Sequence, residues 1–251
     1  MSAYLPAPLF QLLGGAKQRA VRVLARAGGV ESLATHLAAL LRLLEIDCVL
    51  DVGANRGQYA RLLRRIGYRG RIVSFEPVPE CFQQLRRYAS GDTRWTAVPV
   101  ALGAEDALLP LHVAAGTEFS SLRQTSDYAR CTFPGSAVTR TVDVRVRRLD
   151  ALWAEHVRAG DHVHLKLDTQ GYDQQVLDGA RGVLDGVASV QTELAVKSLY
   201  EGVPRYADAI PRLEAFGFEL TGVFPVLRDR QLRIVELDCV MRRRPAAESA
   251  P

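Results

Sequence analysis

The chain has 251 residues, of which 48% are hydrophobic and 24% charged, enough apolar material for a single domain with its own core. Its net charge of +4 and pI near 9.0 come almost wholly from arginine, because lysine occurs only at Lys17, Lys166 and Lys197. Basicity spread this way makes solvated faces rather than the clustered stripe of a nucleic-acid binder, and no run is long and apolar enough to span a bilayer.

Residues 1–46 precede the first strand. Pro6 and Pro8 mark an irregular start, residues 16–27 form a basic amphipathic segment stopped by Gly28-Gly29, and Leu33, Leu37, Leu40, Leu41 and Leu44 share one face of a helix. These helices are expected to cover the sheet or to shape a substrate entrance. Residues 1–15 lack the charged start and apolar core of a secretory signal. Cys48, Cys81, Cys131 and Cys239 are scattered, with no C-x-x-C spacing. Neither a zinc site nor a disulfide framework is indicated, and a cytoplasmic location is expected.

The stretch Cys48-Val-Leu-Asp-Val-Gly-Ala-Asn-Arg-Gly-Gln58 organises the rest of the chain. A short apolar strand carries one acid, Asp51, breaks at Gly53, and reaches a second glycine, Gly57, where a helical pattern opens. A buried strand, a glycine turn and a helix N-terminus form the half-site that α/β folds use for nucleotides. A phosphate-gripping loop needs Gly-Lys-Ser/Thr, which is missing. A dinucleotide fingerprint needs glycine where Asn55 stands, which disfavours an NAD-dependent oxidoreductase. The remaining pattern, D-x-G-x-x-x-G, suits a nucleoside without phosphates, such as S-adenosylmethionine.

Residues 71–76 read as the second strand, ending in Glu76, 25 positions after Asp51. An acid there can accept hydrogen bonds from both ribose hydroxyls. Pro77 and Pro79 lead into a helix over 80–90, and residues 95–102 read as a third strand whose Ala101 and Leu102 backbone would lie beside adenine. Two β-like runs, 108–114 and 142–147, flank a polar segment, 116–139, long enough to be a lid or substrate loop. It contains Ser120 and Ser121. After a helix over 149–158 comes His162-Val-His-Leu-Lys-Leu-Asp168. Val163, Leu165 and Leu167 take one face; His162, His164, Lys166 and Asp168 take the other. A central parallel strand should be apolar on both faces, so this polar face marks function. A turn with Gln170 and Tyr172, a helix over 173–185 and a strand over 187–194 containing Glu193 come next. A helix over 206–216 and a hairpin of 218–226 and 232–241 close the chain, leaving a frayed tail. Alternating strands and helices with a terminal antiparallel pair give a doubly wound, mostly parallel α/β sheet.

At the chemistry-bearing end, Asp168, Lys166 and Glu193 are the candidate catalytic residues. Asp168 or Lys166 could take a hydroxyl proton, or Asp168 and Glu193 could hold a Mg²⁺ ion that acidifies it. A buried Lys166–Asp168 ion pair is the structural alternative. The cofactor set is Asp51, Gly53, Ala54, Asn55, Gly57, Glu76, Pro77, Ala101 and Leu102; the acceptor set is Ser120, Ser121, Gln170 and Tyr172.

Asp51-Val-Gly-Ala-Asn-Arg-Gly57, Phe75-Glu-Pro77, Ala101-Leu-Gly103 and above all Leu165-Lys-Leu-Asp-Thr-Gln-Gly171 resemble the FkbM-type S-adenosylmethionine-dependent methyltransferases, over residues 49–241. Gln170 stands where the commoner form of the last block has glutamate. The resemblance implies a Rossmann-like seven-stranded methyltransferase sheet over residues 47–241, with an N-terminal helical cap (1–46) and a frayed tail (242–251). It implies S-adenosylmethionine as cofactor and O-methylation of a hydroxyl on a sugar, glycoconjugate or natural-product scaffold. A small-molecule or glycan acceptor is then the expected partner, with no nucleic acid and no transmembrane segment, and a homodimer left open. The alternative is a non-catalytic methyltransferase-like module that binds nucleotide or RNA.

Overall fold

A computed structural model describes residues 31–245. The basic segment at 16–27 and all but the first residues of the expected tail lie outside the described residues. Among those described, the strands form two sheets. The larger has seven strands in the order β3-β2-β1-β7-β8-β10-β9: β1 is Cys48–Val52, β2 Arg71–Phe75, β3 Trp95–Val98, β7 Val163–Leu167, β8 Val187–Ala195, β9 Phe218–Arg228 and β10 Ile234–Arg243. The first five are parallel; β10 runs antiparallel to β8 and to β9. The strand order reverses between β1 and β7, and the carboxyl ends of strands beside such a reversal leave a crevice for ligands.

The helices follow their apolar spacing and their caps. Helix α1 (Leu33–Leu43) starts with a capping box: Ser32 Oγ accepts from the Thr35 N–H at 3.2 Å, and Thr35 Oγ1 accepts from the Ser32 N–H at 3.0 Å. Its Leu37, Leu40 and Leu41 are buried beside Val49 and Val240 of the sheet, so this helix covers the sheet. Helices α2 (Gln58–Arg65) and α3 (Pro79–Ala89) add to the same layer. Of the later helices α4 (Asp127–Thr132), α5 (Leu149–His156), α6 (Asp173–Asp178) and α7 (Tyr206–Ala215), α5, α6 and α7 bury apolar residues in the core on the other face.

The structure corrects the sequence reading in three places. The strand expected over 95–102 is two strands, because Pro99 has no N–H to continue the ladder. Its second half, β4 (Ala101–Leu102), leaves the main sheet and pairs with β6 (Val138–Arg147), which also pairs with β5 (Ala107–Ala114) in a three-stranded sheet. The helix expected over 173–185 stops at Asp178, before Gly179, where a side chain would run into the Gly103 carbonyl at 1.9 Å. Arg242 and Arg243, assigned to the tail, complete β10. The segment at 116–139 is ordered as short helical turns, α4 and the start of β6.

Candidate active site

The turn after β1 is built by close approach. Gly53 has φ 78°, and a β-carbon on it would sit 1.9 Å from the Asp168 carbonyl oxygen. The Asp168 N–H in turn donates to the Val52 carbonyl at 3.0 Å. The turns that end β1 and β7 are thus pressed against each other. Asn55 stands at φ 48°, a left-handed conformation that asparagine tolerates better than most residues. Glu76 ties the end of β2 to this turn: its Oε2 accepts from the Asn55 N–H and its Oε1 from the Val78 N–H, each at 2.7 Å. Burial lifts the Glu76 carboxyl to about 7, against the pull of those two N–H groups.

Above the strand ends lies a cavity of about 540 Å³. Gly53, Ala54, Asn55, Glu76, Pro77, Ala101 and Leu102 line it, together with the apolar side chains of Val100 and Leu111. Two residues assigned to the cofactor from sequence do not reach it. Asp51 lies fully buried under the turn, where its Oδ2 accepts from Ser74 Oγ at 2.9 Å and its Oδ1 has no partner. Gly57 packs on Trp95, whose ring a β-carbon would meet at 2.8 Å. Both shape the turn from behind.

The polar face of β7 and β8 lines the same cavity through Lys166, Asp168 and Glu193. Lys166 Nζ donates to Asp168 Oδ2 at 2.6 Å. Gln170 Nε2 lies 2.8 Å from both Asp168 Oδ1 and Glu193 Oε2, bridging the two carboxyls. The Tyr200 hydroxyl, 2.7 Å from Gln170 Oε1, fixes the amide in that sense. Gln170 itself has φ 54°, a strained position for its residue type of the kind that clusters at functional sites. Ser121 Oγ donates to the Gln170 carbonyl and Arg123 Nε to the Gly171 carbonyl, each at 2.7 Å, so the 116–139 segment braces this turn. Ser120, Ser121, Gln170 and Tyr172 all line the cavity. No residue of α1 does.

Electrostatics separates the roles. Burial works to raise Asp168, but the Lys166 charge and the hydrogen bonds from Lys166 and Gln170 outweigh it and hold the carboxyl below its usual range. Glu193 goes the other way, pushed well up by burial and by the charges of Asp168, Glu236 and Asp238. Burial would strip the proton from Lys166, yet Asp168, Asp51 and Glu193 more than compensate, and its pKa is raised. The surrounding carboxyls favour the charged form of Lys166, which speaks for Asp168 rather than Lys166 as the candidate base. The Mg²⁺ alternative does not fit either: an ion between Asp168 and Glu193 would have to displace the Gln170 amide and sit beside the Lys166 ammonium. Among the described residues no group of three or more His, Cys, Asp or Glu could hold a metal ion.

A supporting layer was not foreseen. The Tyr59 hydroxyl donates to Gln191 Oε1 at 2.8 Å and lies 3.0 Å from His164 Nε2; Gln191 Nε2 donates to Asp238 Oδ1 at 2.8 Å. His164 Nδ1 is 2.8 Å from Ser189 Oγ, which leaves this histidine in a packing role. Glu236 lines the cavity beside Glu193. The signal for Glu236 and Asp238 was available: acids alternate with apolar residues in β10 as Lys166 and Asp168 do in β7.

A doubly wound sheet closed by an antiparallel hairpin, with one cavity across its strand ends, is the Rossmann-like methyltransferase fold. Residues 51–220 match the Methyltransferase FkbM domain, and the chain belongs to that family of methyltransferases. It is 27% identical over 208 residues to the 2-O-methyltransferase NoeI of Sinorhizobium fredii (strain NBRC 101917 / NGR234), covering 77% of this chain and 78% of that one. Among solved structures, a putative methyltransferase from Thermobifida fusca YX aligns over 84% of this chain and 79% of its own, with 12% identity and a TM-score of 0.49. Aeropyrum pernix fibrillarin, with natively bound S-adenosyl-L-methionine, aligns over 78% and 66%, with 14% identity and a TM-score of 0.44. Among the described residues no helix is long and apolar enough to cross a membrane.

Proposed function

We propose that the protein is an S-adenosylmethionine-dependent O-methyltransferase acting on a hydroxyl of a sugar, glycoconjugate or natural-product scaffold, with Asp168 receiving the hydroxyl proton. The observation that carries this reading is the Asp168 carboxyl, held by Lys166 and Gln170, in the same cavity as the Gly53 turn and Glu76. The 2-O-methyltransferase relative supports the choice of oxygen as acceptor.

The residues fit the cofactor. Each Glu76 oxygen uses one lone pair on a backbone N–H, which leaves acceptor capacity for two ribose hydroxyls. The apolar lining at Val100–Leu102 suits a nucleoside base. When bound, S-adenosylmethionine supplies an electrophilic methyl on a sulfonium. The chain's part is to hold an acceptor oxygen in line with that methyl and to take its proton. A hydroxyl becomes strongly acidic as its oxygen is alkylated, so a carboxylate of low pKa is a sufficient base. Lys166 favours the ionised form of that carboxyl and aims it, and Gln170 fixes its second oxygen. The carboxyls around the floor disfavour a phosphate-bearing acceptor beside them.

Calorimetric titration tests the cofactor. S-adenosylhomocysteine should bind, and Glu76→Ala should weaken it by about 1–3 kcal/mol, the usual loss for a hydrogen-bonded charged group. Binding of NAD in place of the adenosyl compound would overturn the reading.

A further inference from the structure

Glu236 is the one buried carboxyl lining the cavity for which the described residues supply no hydrogen bond or ion pair. It is 9% exposed. Its carboxyl opens on the cavity rather than onto a protein partner, so its hydrogen-bonding capacity is free for a molecule bound there. Its position is set by register. Glu236 pairs with Ala195, two residues beyond Glu193 on β8, and Glu193 pairs with Asp238. Residues two apart on a strand share a face, so Glu193, Asp238 and Glu236 project to the same side. Diagonal neighbours of this kind are near enough for long side chains to converge on one group. Leu227, opposite Glu236 on β9, adds an apolar wall to the same corner.

We propose that Glu236, together with Glu193, forms a subsite that hydrogen-bonds a second hydroxyl of the acceptor, next to the one presented to Asp168, and so selects cyclic vicinal diols over isolated alcohols. This rests on the O-methyltransferase reading and adds the acceptor class to it. The protonation of the corner agrees: burial and the surrounding carboxylates Asp168, Asp173 and Asp238 lift Glu236 to about 8, and Glu193 is lifted as well. Carboxyls shifted upward in this way favour the protonated form, which both donates and accepts, matches a hydroxyl pair and gives little hold on an anion. Leu227 offers a surface for the C–H face of a ring.

The full chain, saturated with S-adenosylhomocysteine, would be titrated by ligand-observed NMR with myo-inositol and with methyl pyranosides. Each glycoside is paired with its deoxy analogue lacking one hydroxyl and with its 2-amino counterpart. At least one diol should bind about five- to tenfold more tightly than its deoxy analogue, the range for one or two hydrogen bonds to a protein site. Glu236→Leu should erase that preference and Glu236→Gln should retain part of it. Neither should change S-adenosylhomocysteine affinity more than about twofold or lower the melting temperature, since the carboxyl has no structural partner to lose. Equal binding of diol and deoxy analogue, a preference that survives in Glu236→Leu, or tighter binding of the amino sugar would overturn the subsite. Failure of every sugar to bind while S-adenosylhomocysteine binds would also overturn it, leaving the cofactor reading intact. Failure of S-adenosylhomocysteine itself to bind would overturn both.

Discussion

The two faces of the central sheet come from the same strands in one register, yet they are made of different chemistry. On one face Leu50, Val52, Leu165, Leu167 and Val190 merge with α5, α6 and α7 into a continuous apolar core. On the other, Ser74, Asp51, Lys166 and Gln191 stand side by side across four strands, with Glu193 and Asp238 one step nearer the cavity. Fixing charges inside a protein is unfavourable unless each is matched. Here most are: Lys166 by Asp168, Asp238 by Gln191, and Gln191 by Tyr59. Successive residues of a single strand thus divide the labour, one set supplying burial and the other the polar floor of the site.

That division can be broken at three points, in order of decreasing consequence. Leu165→Ala on the apolar face should cost about 2–5 kcal/mol of unfolding free energy by denaturant titration, the usual range for a fully buried leucine. S-adenosylhomocysteine affinity of the folded protein should stay near wild type; a lost site with undiminished stability would deny the division. Asp168→Asn on the polar side should lower the methyl-transfer rate about 100-fold or more with cofactor affinity unchanged, and should also lower the melting temperature because the buried Lys166 ammonium loses its match. A purely structural Lys166–Asp168 pair would give the lower melting temperature with turnover of the folded protein retained. Tyr59→Phe, which removes the hydroxyl shared by Gln191 and His164, should cost about 1 kcal/mol of stability with a small change in rate. A rate loss as large as that of Asp168→Asn would move Tyr59 from support to chemistry.

Much of this was legible because it is local. The glycine spacing, the acid 25 positions on and the alternation of Val163 to Asp168 each record a backbone or burial requirement that a short window displays. The hairpin, both flanks of the Gly53 turn and the convergence of Asp168 with Glu193 followed from strand ends alone. Other features depend on where the chain goes next. Pro99 diverts Ala101 and Leu102 into a second sheet whose partner, β6, lies some forty residues downstream. Asp51 reads as a ligand contact until Ser74 is seen to claim it from the neighbouring strand. Lys166 reads as a base until three carboxyls are counted around it, and Glu236 enters the cavity only because β10 folds back between β8 and β9.

The missing side chain at Gly53 has a further consequence. With no room for even a methyl group between that residue and the Asp168 carbonyl, the turn after β1 and the turn that carries the proposed base are packed directly on each other. A sequence change that shifted one would shift the other, so the spacing from donor to base is protected against drift. Latitude for new acceptors lies instead in a part of the wall outside these two turns, the β9–β10 hairpin with Leu227 and Glu236. The fold in this way separates what divergence can alter, the choice of acceptor, from what it must leave in place.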